Sequence, residues 1–287
     1  MTFHTYQEAL RDAAGRLHAA GVPSPEWDAR VLAAHLIHCG HMDIPMGQEP
    51  IPGFDLAYGA LVGRREAREP LQHILGHAWF GPLELEVGPG VFIPRPETEV
   101  LADYAVGVLK NSGAGDDCRV VDLCTGTGAL ALYVAHSLPR AQVWGVELSD
   151  AALAYAQRNA ARYTPELQLV QGDVTDPQVL SELDGTVDLV LTNPPYVPET
   201  PNLEPEVYQD PHEAVFGGAD GMDTITAMIP TIARLLRPGG RVGLEHDDET
   251  SHQVQEAFRA HGGFEQVDIL RDLTGTARFV TAVRGVQ

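Results

Sequence analysis

The chain is poor in several things, and each shortage excludes something. Three cysteines in 287 residues, Cys39, Cys118 and Cys124, are odd in number and scattered; a disulfide scaffold is not expected from such a set, and a reducing cytoplasm is the expected setting. Lys110 is the single lysine beside 18 arginines, and these 19 bases face 40 acids for a net charge of −21. So acidic a surface repels phosphate backbones, which disfavours sequence-independent binding of DNA or RNA and leaves a basic protein as an allowed partner. No apolar run approaches the roughly 20 residues that cross a bilayer, so no membrane span is expected. The opening MTFHTYQEALRDAAG lacks the basic flank and apolar run of a signal peptide. What the chain does have is 44% hydrophobic and 21% charged residues, the proportions of a globular protein with a core, at a length of one or two domains.

The first 75 or so residues read as helical. Thr5 and Glu8 have capping-box spacing, and Tyr6, Leu10, Ala13, Ala14 and Leu17 recur at helical period up to Gly21. Ser24-Pro25 reads as an N-cap with proline in the first turn, followed by an apolar stripe of Trp27, Val31, Leu32 and Leu36 that ends near Gly40. A third helix is expected over 53–68, with Phe54, Tyr58, Leu61 and Val62 inward and Arg64, Arg65, Glu66 and Arg68 solvated; Glu69-Pro70 stops it. Residues 78–87 read as two short strands around Gly81-Pro82. The expected organisation is therefore a helical domain over 1–75, a linker hairpin over 76–90 and a larger domain over 91–287.

From residue 96 strands alternate with helices of 10–15 residues, the pattern of βαβ units on a mostly parallel sheet. A helix over 96–110 precedes a strand at Arg119–Leu123; further strands follow at 142–146, 167–170, 187–192 and 241–245. A helix over 222–236 ends in Arg237-Pro238-Gly239-Gly240, and two consecutive strands close the chain as an antiparallel edge hairpin. The fold class is α/β, doubly wound.

In such sheets ligands bind at the carboxyl ends of the strands. The first strand ends in Asp122-Leu123-Cys124-Thr125-Gly126-Thr127-Gly128, where glycines allow a sharp turn and close backbone approach to a ligand. Neither the G-x-G-x-x-G dinucleotide fingerprint nor a P-loop is satisfied. Glu147, at the end of the second strand, suits the two hydroxyls of a ribose. After the third strand, Asp173 suits an adenine amino group, and Val174 covers a ring. Together these acids outline an adenosine-shaped pocket without a pyrophosphate site. The fourth strand delivers Asn193-Pro194-Pro195-Tyr196. Two prolines fix the backbone and remove two N–H donors, so the Asn193 side-chain oxygen and the Pro194 carbonyl can both accept from one planar –NH₂ group while Tyr196 offers it a face.

DLCTGTG, Glu147, GDV and NPPY together resemble an S-adenosylmethionine-dependent methyltransferase acting on amino groups. GPGVFIPRPETE (88–99), the stretch from Tyr208-Gln209-Asp210-Pro211 to Asp220-Gly221 with Phe216-Gly217-Gly218 inside it, RPGG (237–240), LEHD (244–247) and RDLTGTARFV (271–280) extend the resemblance over nearly the whole chain, to the HemK/PrmC family. That resemblance implies a Rossmann-like class I methyltransferase domain behind a small helical bundle. It also implies methyl transfer from S-adenosyl-L-methionine, leaving S-adenosyl-L-homocysteine, to the side-chain amide nitrogen of the glutamine in the GGQ motif of class-1 peptide chain release factors. Carried over, Asp122, Cys124, Thr125, Gly126, Thr127, Gly128, Glu147, Asp173, Val174 and Asn193 hold the cofactor. Asn193, Pro194, Pro195 and Tyr196 hold the glutamine and carry catalysis, and Phe92, Pro94, Arg95 and Glu97 wall the cavity. Cys124 departs from the pattern: the family usually has a glycine there, and a cysteine fits the position if φ is negative.

Two other readings stay open on the sequence. One is an amino-group methyltransferase acting on adenine or guanine in nucleic acid, against which stand the −21 charge and the lack of a basic target-recognition segment. The other is a non-catalytic protein that only binds a translation factor. His35, His38, Cys39 and His41 cluster, but nothing elsewhere completes a metal shell, so no metal is expected. The expected state is a cytoplasmic monomer with the helical domain engaging the protein substrate.

Overall fold

The computed structural model describes residues 2–111, 117–200 and 203–286, which form two compact units. The first contains residues up to His77 together with Glu204–Gln209. Four helices build it: α1 (Tyr6–Ala19), α2 (Pro25–Ile37), α3 (Phe54–Glu66) and α4 (Leu71–Leu75). Thr5 caps α1 by accepting from the Glu8 N–H, and the Glu8 carboxylate reaches back to the His4 N–H, one residue before the reciprocal partner of a standard capping box. Leu10, Leu17, Leu32, Phe54, Tyr58 and Val62 form the core, and the Tyr58 hydroxyl is satisfied there by the Ala29 carbonyl at 2.8 Å.

Three expectations fail in this unit for one reason. Trp27 is exposed, and Asp28 takes the inward place on α2. Arg65, expected in solvent, is only 5% exposed: its guanidinium bonds Asp28 Oδ2 at 2.7 Å and Glu206 Oε1 at 3.0 Å. Arg68 is drawn in as well, its Nε donating to Glu206 at 2.7 Å. An amphipathic reading assigns arginine to solvent by type, but here two acids distant in sequence neutralise it inside.

The second unit contains Ala78–Leu203 and Asp210–Gln287. A two-stranded sheet, β1 (His77–Phe80) with β2 (Leu83–Glu86), leads through a 3₁₀ turn at Pro96–Thr98 into α5 (Glu99–Asn111). Then come β3 (Arg119–Leu123), α6 (Ala129–Ser137), β4 (Gln142–Glu147), α7 (Asp150–Tyr163), β5 (Gln168–Gln171) and β6 (Val187–Thr192). The short α8 (His212–Val215), α9 (Asp223–Leu235), β7 (Leu236–Glu245), α10 (Ser251–His261), β8 (Phe264–Arg271) and β9 (Ala277–Arg284) complete it. The main sheet has the order β5-β4-β3-β6-β7-β9-β8, parallel from β5 to β7 and antiparallel at β7–β9 and β9–β8.

Strand alternation sorts the side chains into two layers. Val121 and Leu123 of β3 pack in the cluster that holds Ile225, Ile229, Val254 and Phe258 of α9 and α10. Val120 packs in the other, with Leu101 and Leu109 of α5 and Leu130 and Leu132 of α6. Arg237-Pro238-Gly239-Gly240, expected as a stop between helix and strand, lies inside β7. The register jumps from Val187↔Leu236 to Leu189↔Arg241, so these residues form a bulge, with Gly239 at φ +76°. Among the described residues no helix is long and apolar enough to cross a membrane, and no group of three or more His, Cys, Asp or Glu could hold a metal.

Candidate active site

Sheet register gathers the chemistry. Val146, Leu123, Thr192 and Leu244 lie side by side across β4, β3, β6 and β7. One residue further on, at the carboxyl edge, come Glu147, Cys124, Asn193 and Glu245. The strand order changes its direction of growth between β3 and β6, the switch point at which a doubly wound sheet opens a ligand crevice.

On the β3–β4 side the structure divides the expected cofactor residues into an outer and an inner set. Glu147 is half-buried; its Oε2 accepts from the Gly126 N–H at 2.8 Å and its Oε1 from the Ser149 N–H at 2.9 Å. Those bonds fix the carboxylate and leave each oxygen a further lone pair. Asp173 is exposed and steadied by Thr175, whose N–H and hydroxyl both donate to Oδ1; Val174 is buried beside it. Gly126 has φ +58° and open space where a side chain would be, as a backbone that faces a ligand needs.

Asp122, Thr125 and Thr127 turn inward. Asp122 is 1% exposed, and its Oδ2 accepts from the Thr125 hydroxyl at 2.5 Å and the Ala131 N–H at 3.1 Å. Burial pushes this carboxyl up to about 7 against the pull of those bonds, and the Glu147 charge adds to the rise. Asp122 thus holds the loop from beneath, and its Oδ1 is buried without a hydrogen-bond partner. Cys124 has φ +61°, so the negative φ expected of a cysteine there is not met. The position keeps the left-handed backbone that a glycine would adopt freely, and the thiol, pushed up by burial and then by the Glu147 and Asp122 charges, stays protonated.

On the β6–β7 side the Asn193–Tyr196 segment is framed by two straps. In one, Gly217 and Gly221 approach its backbone: a Cβ on Gly217 would stand 2.5 Å from the Pro195 carbonyl oxygen, and one on Gly221 would overlap that of Tyr196. The Val197 N–H donates to the Val215 carbonyl and the Gly217 N–H returns to the Val197 carbonyl. In the other strap, the Arg95 guanidinium lies 4.9 Å from the centre of the Phe92 ring and donates to Asp210 Oδ2 at 2.7 Å. Burial raises the Asp210 carboxyl to about 6 despite that arginine. Pro94 is half-buried and Glu97 exposed.

Thr98 and Glu245 join the site without having been singled out in the sequence. The Thr98 hydroxyl donates to Glu245 Oε2 at 2.7 Å, the Tyr196 hydroxyl donates to Glu245 Oε1 at 2.9 Å, and Asn193 Nδ2 donates to Thr98 Oγ1 at 3.4 Å. Burial raises Glu245 to about 7 against these bonds and the nearby Arg278. The Tyr196 phenol is raised by burial and then by the Glu245 charge, so it stays protonated. The available signals were PETE and LEHD, strings whose residue types suggest only a helix start and a strand end.

The donor set fits S-adenosylmethionine: Glu147 has lone pairs for a diol, Asp173 and Val174 offer an acceptor and an apolar neighbour for an amine-bearing ring, and Gly126 has open space where a side chain would be. A glycine loop, an acid and an Asn-Pro-Pro-Tyr segment at successive edges of this sheet define a Rossmann-like class I methyltransferase. Residues 120–208 match the methyltransferase domain family and residues 8–76 the PrmC N-terminal domain. The protein belongs to the release factor glutamine methyltransferase family. It is 56% identical to the release factor glutamine methyltransferase of Corynebacterium glutamicum over 97% of this chain and 98% of that one. Its identity to the Mycolicibacterium smegmatis enzyme of the same description is 50%, over 96% of each chain. A solved methyltransferase from Pyrococcus furiosus shares the fold, with a TM-score of 0.51 and 20% identity over 72% of this chain and 91% of that one.

Proposed function

We propose that this protein transfers the methyl group of S-adenosylmethionine to the side-chain amide nitrogen (N5) of the glutamine in the GGQ motif of class-1 peptide chain release factors, in the cytoplasm and as a monomer. The observation that carries the reading is the Asn193 side chain, held by its –NH₂ at the switch-point edge so that its oxygen is left to accept. S-adenosylmethionine, when bound, supplies a methyl carbon on a positively charged sulfur. An amide nitrogen attacks such a carbon poorly because its lone pair is delocalised into the carbonyl. An acceptor set from Asn193 and Pro194 aligns the target –NH₂ and raises electron density on its nitrogen. Positioning of this kind is worth about 7–11 kcal/mol at its favourable limit. No positioned base is required, because a cationic amide is acidic enough to lose its proton to water.

Phe92, Arg95 and Tyr196 border the acceptor in this reading, and the helical unit engages the protein substrate. The −21 charge supports a protein acceptor over a nucleic acid. The test is transfer of labelled methyl to purified release factor, to a version with GGQ changed to GGA, and to bulk DNA. Label on the unaltered factor alone is expected, and label on DNA would return the substrate to a nucleic-acid amine. Asn193→Ala is expected to lower methylation at saturating cofactor by 100-fold or more while cofactor binding, measured by titration, stays within about threefold. Equal turnover in that variant would remove Asn193 from its role.

A further inference from the structure

A side-chain amide can enter a site either way round, and only one orientation of Asn193 offers an acceptor to a substrate –NH₂. We propose that Thr98 and Glu245 are positioning residues of the methyl transfer, holding Asn193 with its –NH₂ toward Thr98 and its carbonyl oxygen toward the target amide. The inference rests on the acceptor chemistry proposed above.

A threonine hydroxyl has one proton and two lone pairs, whereas an ionised carboxylate only accepts. Glu245 is 2% exposed, and both of its oxygens are engaged, Oε1 by the Tyr196 phenol and Oε2 by Thr98. The phenol keeps its proton and donates it, so it cannot relieve Thr98 of the second carboxylate oxygen. Where Glu245 is ionised, above about pH 7, the single Thr98 proton is committed to it, and what Thr98 turns toward Asn193 is a lone pair. A lone pair takes an N–H, and Nδ2 is the atom that stands 3.4 Å away. The reversed amide would set two acceptors against each other at Thr98 and face the substrate –NH₂ with a second –NH₂. The Glu245 charge therefore sets the orientation of Asn193 through one hydroxyl, without Glu245 touching the substrate. The three residues come from a 3₁₀ turn, the end of β7 and the end of β6, which only the folded sheet brings together.

The test uses the full chain with Thr98→Val, which keeps shape and removes the hydroxyl, Thr98→Ser, which keeps the hydroxyl, and Glu245→Gln, whose amide can donate to Thr98. Thr98→Val and Glu245→Gln are expected to lower kcat by about 10- to 100-fold, with KM for release factor and Kd for S-adenosylmethionine within about threefold. Thr98→Ser is expected to stay within about threefold of wild type. In a ¹H–¹⁵N spectrum, the Asn193 side-chain –NH₂, assigned by its loss in Asn193→Asp, is expected to be protected from solvent exchange in wild type and Thr98→Ser and unprotected in Thr98→Val. Wild-type kcat or an unaltered –NH₂ signal in Thr98→Val overturns the proposal. So does a Thr98→Ser that falls as far as Thr98→Val, or a parallel loss of cofactor affinity, since both indicate packing. The spectrum needs no substrate, so it decides the orientation even if the wild-type enzyme labels no glutamine and the proposed reaction itself fails.

Discussion

At Cys124 a side chain occupies backbone that suits glycine: φ is +61°, in the left-handed region that costs a residue with a Cβ about 1–2 kcal/mol. The residue is retained within the sheet-edge row that also carries Glu147, Asn193 and Glu245, and its side chain packs against the α9–α10 core layer. Two substitutions separate backbone from packing. Cys124→Gly relieves the conformation and loses the contacts, so its stability is expected within about 1 kcal/mol of wild type. Cys124→Val places a β-branched side chain at positive φ and is expected to lose about 2 kcal/mol or more. It should also weaken cofactor binding, because Gly126 is two residues on. Denaturant unfolding and cofactor titration read both effects. A valine variant as stable as wild type would show that the turn relaxes and that φ is not constraining.

Among the elements, the glycine strap behind Asn193–Tyr196 leaves no room for a side chain at Gly217 or Gly221. An added methyl on Gly221 would overlap the Tyr196 carbonyl, which is backbone and not the end of a flexible side chain. Gly221→Ala is expected to lower kcat at least tenfold while S-adenosylmethionine titrates nearly as in wild type, since Glu147 and Asp173 stand at the ends of other strands. Gly107 in α5 is the opposite case, with nothing within 4 Å of its would-be Cβ. Gly107→Ala is expected to add about 0.5–1 kcal/mol in thermal unfolding.

How much of this was legible in the sequence follows the range of the cause. Strand periodicity and the residue just past each strand locate Glu147 and Asn193, because register in a parallel sheet aligns strand ends without help from side chains. Asp122 was legible as the acid at the head of the glycine loop, but its place beneath that loop was not, since a polar residue's face depends on the α6 N–H that meets it. Thr98 and Glu245 were not legible as partners: 147 residues separate them, and no periodicity links a 3₁₀ turn to a strand end. Arg237–Gly240 looked like a stop because its composition suits a turn, yet a neighbouring strand pairs across it and makes a bulge.

For the molecule as a whole, the buried carboxyls set how stability and activity depend on pH. Asp122 and Glu245 are raised to about 7 and Asp210 to about 6, so the folded chain holds protons that the unfolded chain has released above about 4. Their contribution to stability is fully present below about pH 4 and is lost as pH rises from there through about 6–7. Glu66, Glu69 and Glu206 are lowered, the first two chiefly by bonds from Arg16 and Arg64, and Glu206 by bonds from Arg68 and Arg65 against its burial. Their contribution is lost only as pH falls below the usual carboxylate range. The net charge of −21 also favours the more acid side. The thermal midpoint is therefore expected to be higher at pH 5.5 than at pH 8, and a midpoint that rises between those values would contradict the assignment. Activity is expected to run the other way, because Thr98 and Tyr196 need the Glu245 carboxylate ionised. Arg278 favours that form, Glu97 opposes it, and Glu245→Gln should remove the dependence.

The helical unit is not one continuous stretch of chain: it claims Glu204–Gln209, which bonds Arg65 and Arg68 through Glu206, and the second unit resumes at Asp210. It is written in two places, 127 positions apart, that have to remain matched. A fragment begun at residue 78 keeps the Glu206 hexapeptide and loses both arginines, so it is a protein with a broken loop, not a bare methyltransferase. Exchange of this unit between relatives has to carry both pieces, and a change at Arg65 or Arg68 is expected to be inherited together with one at Glu206.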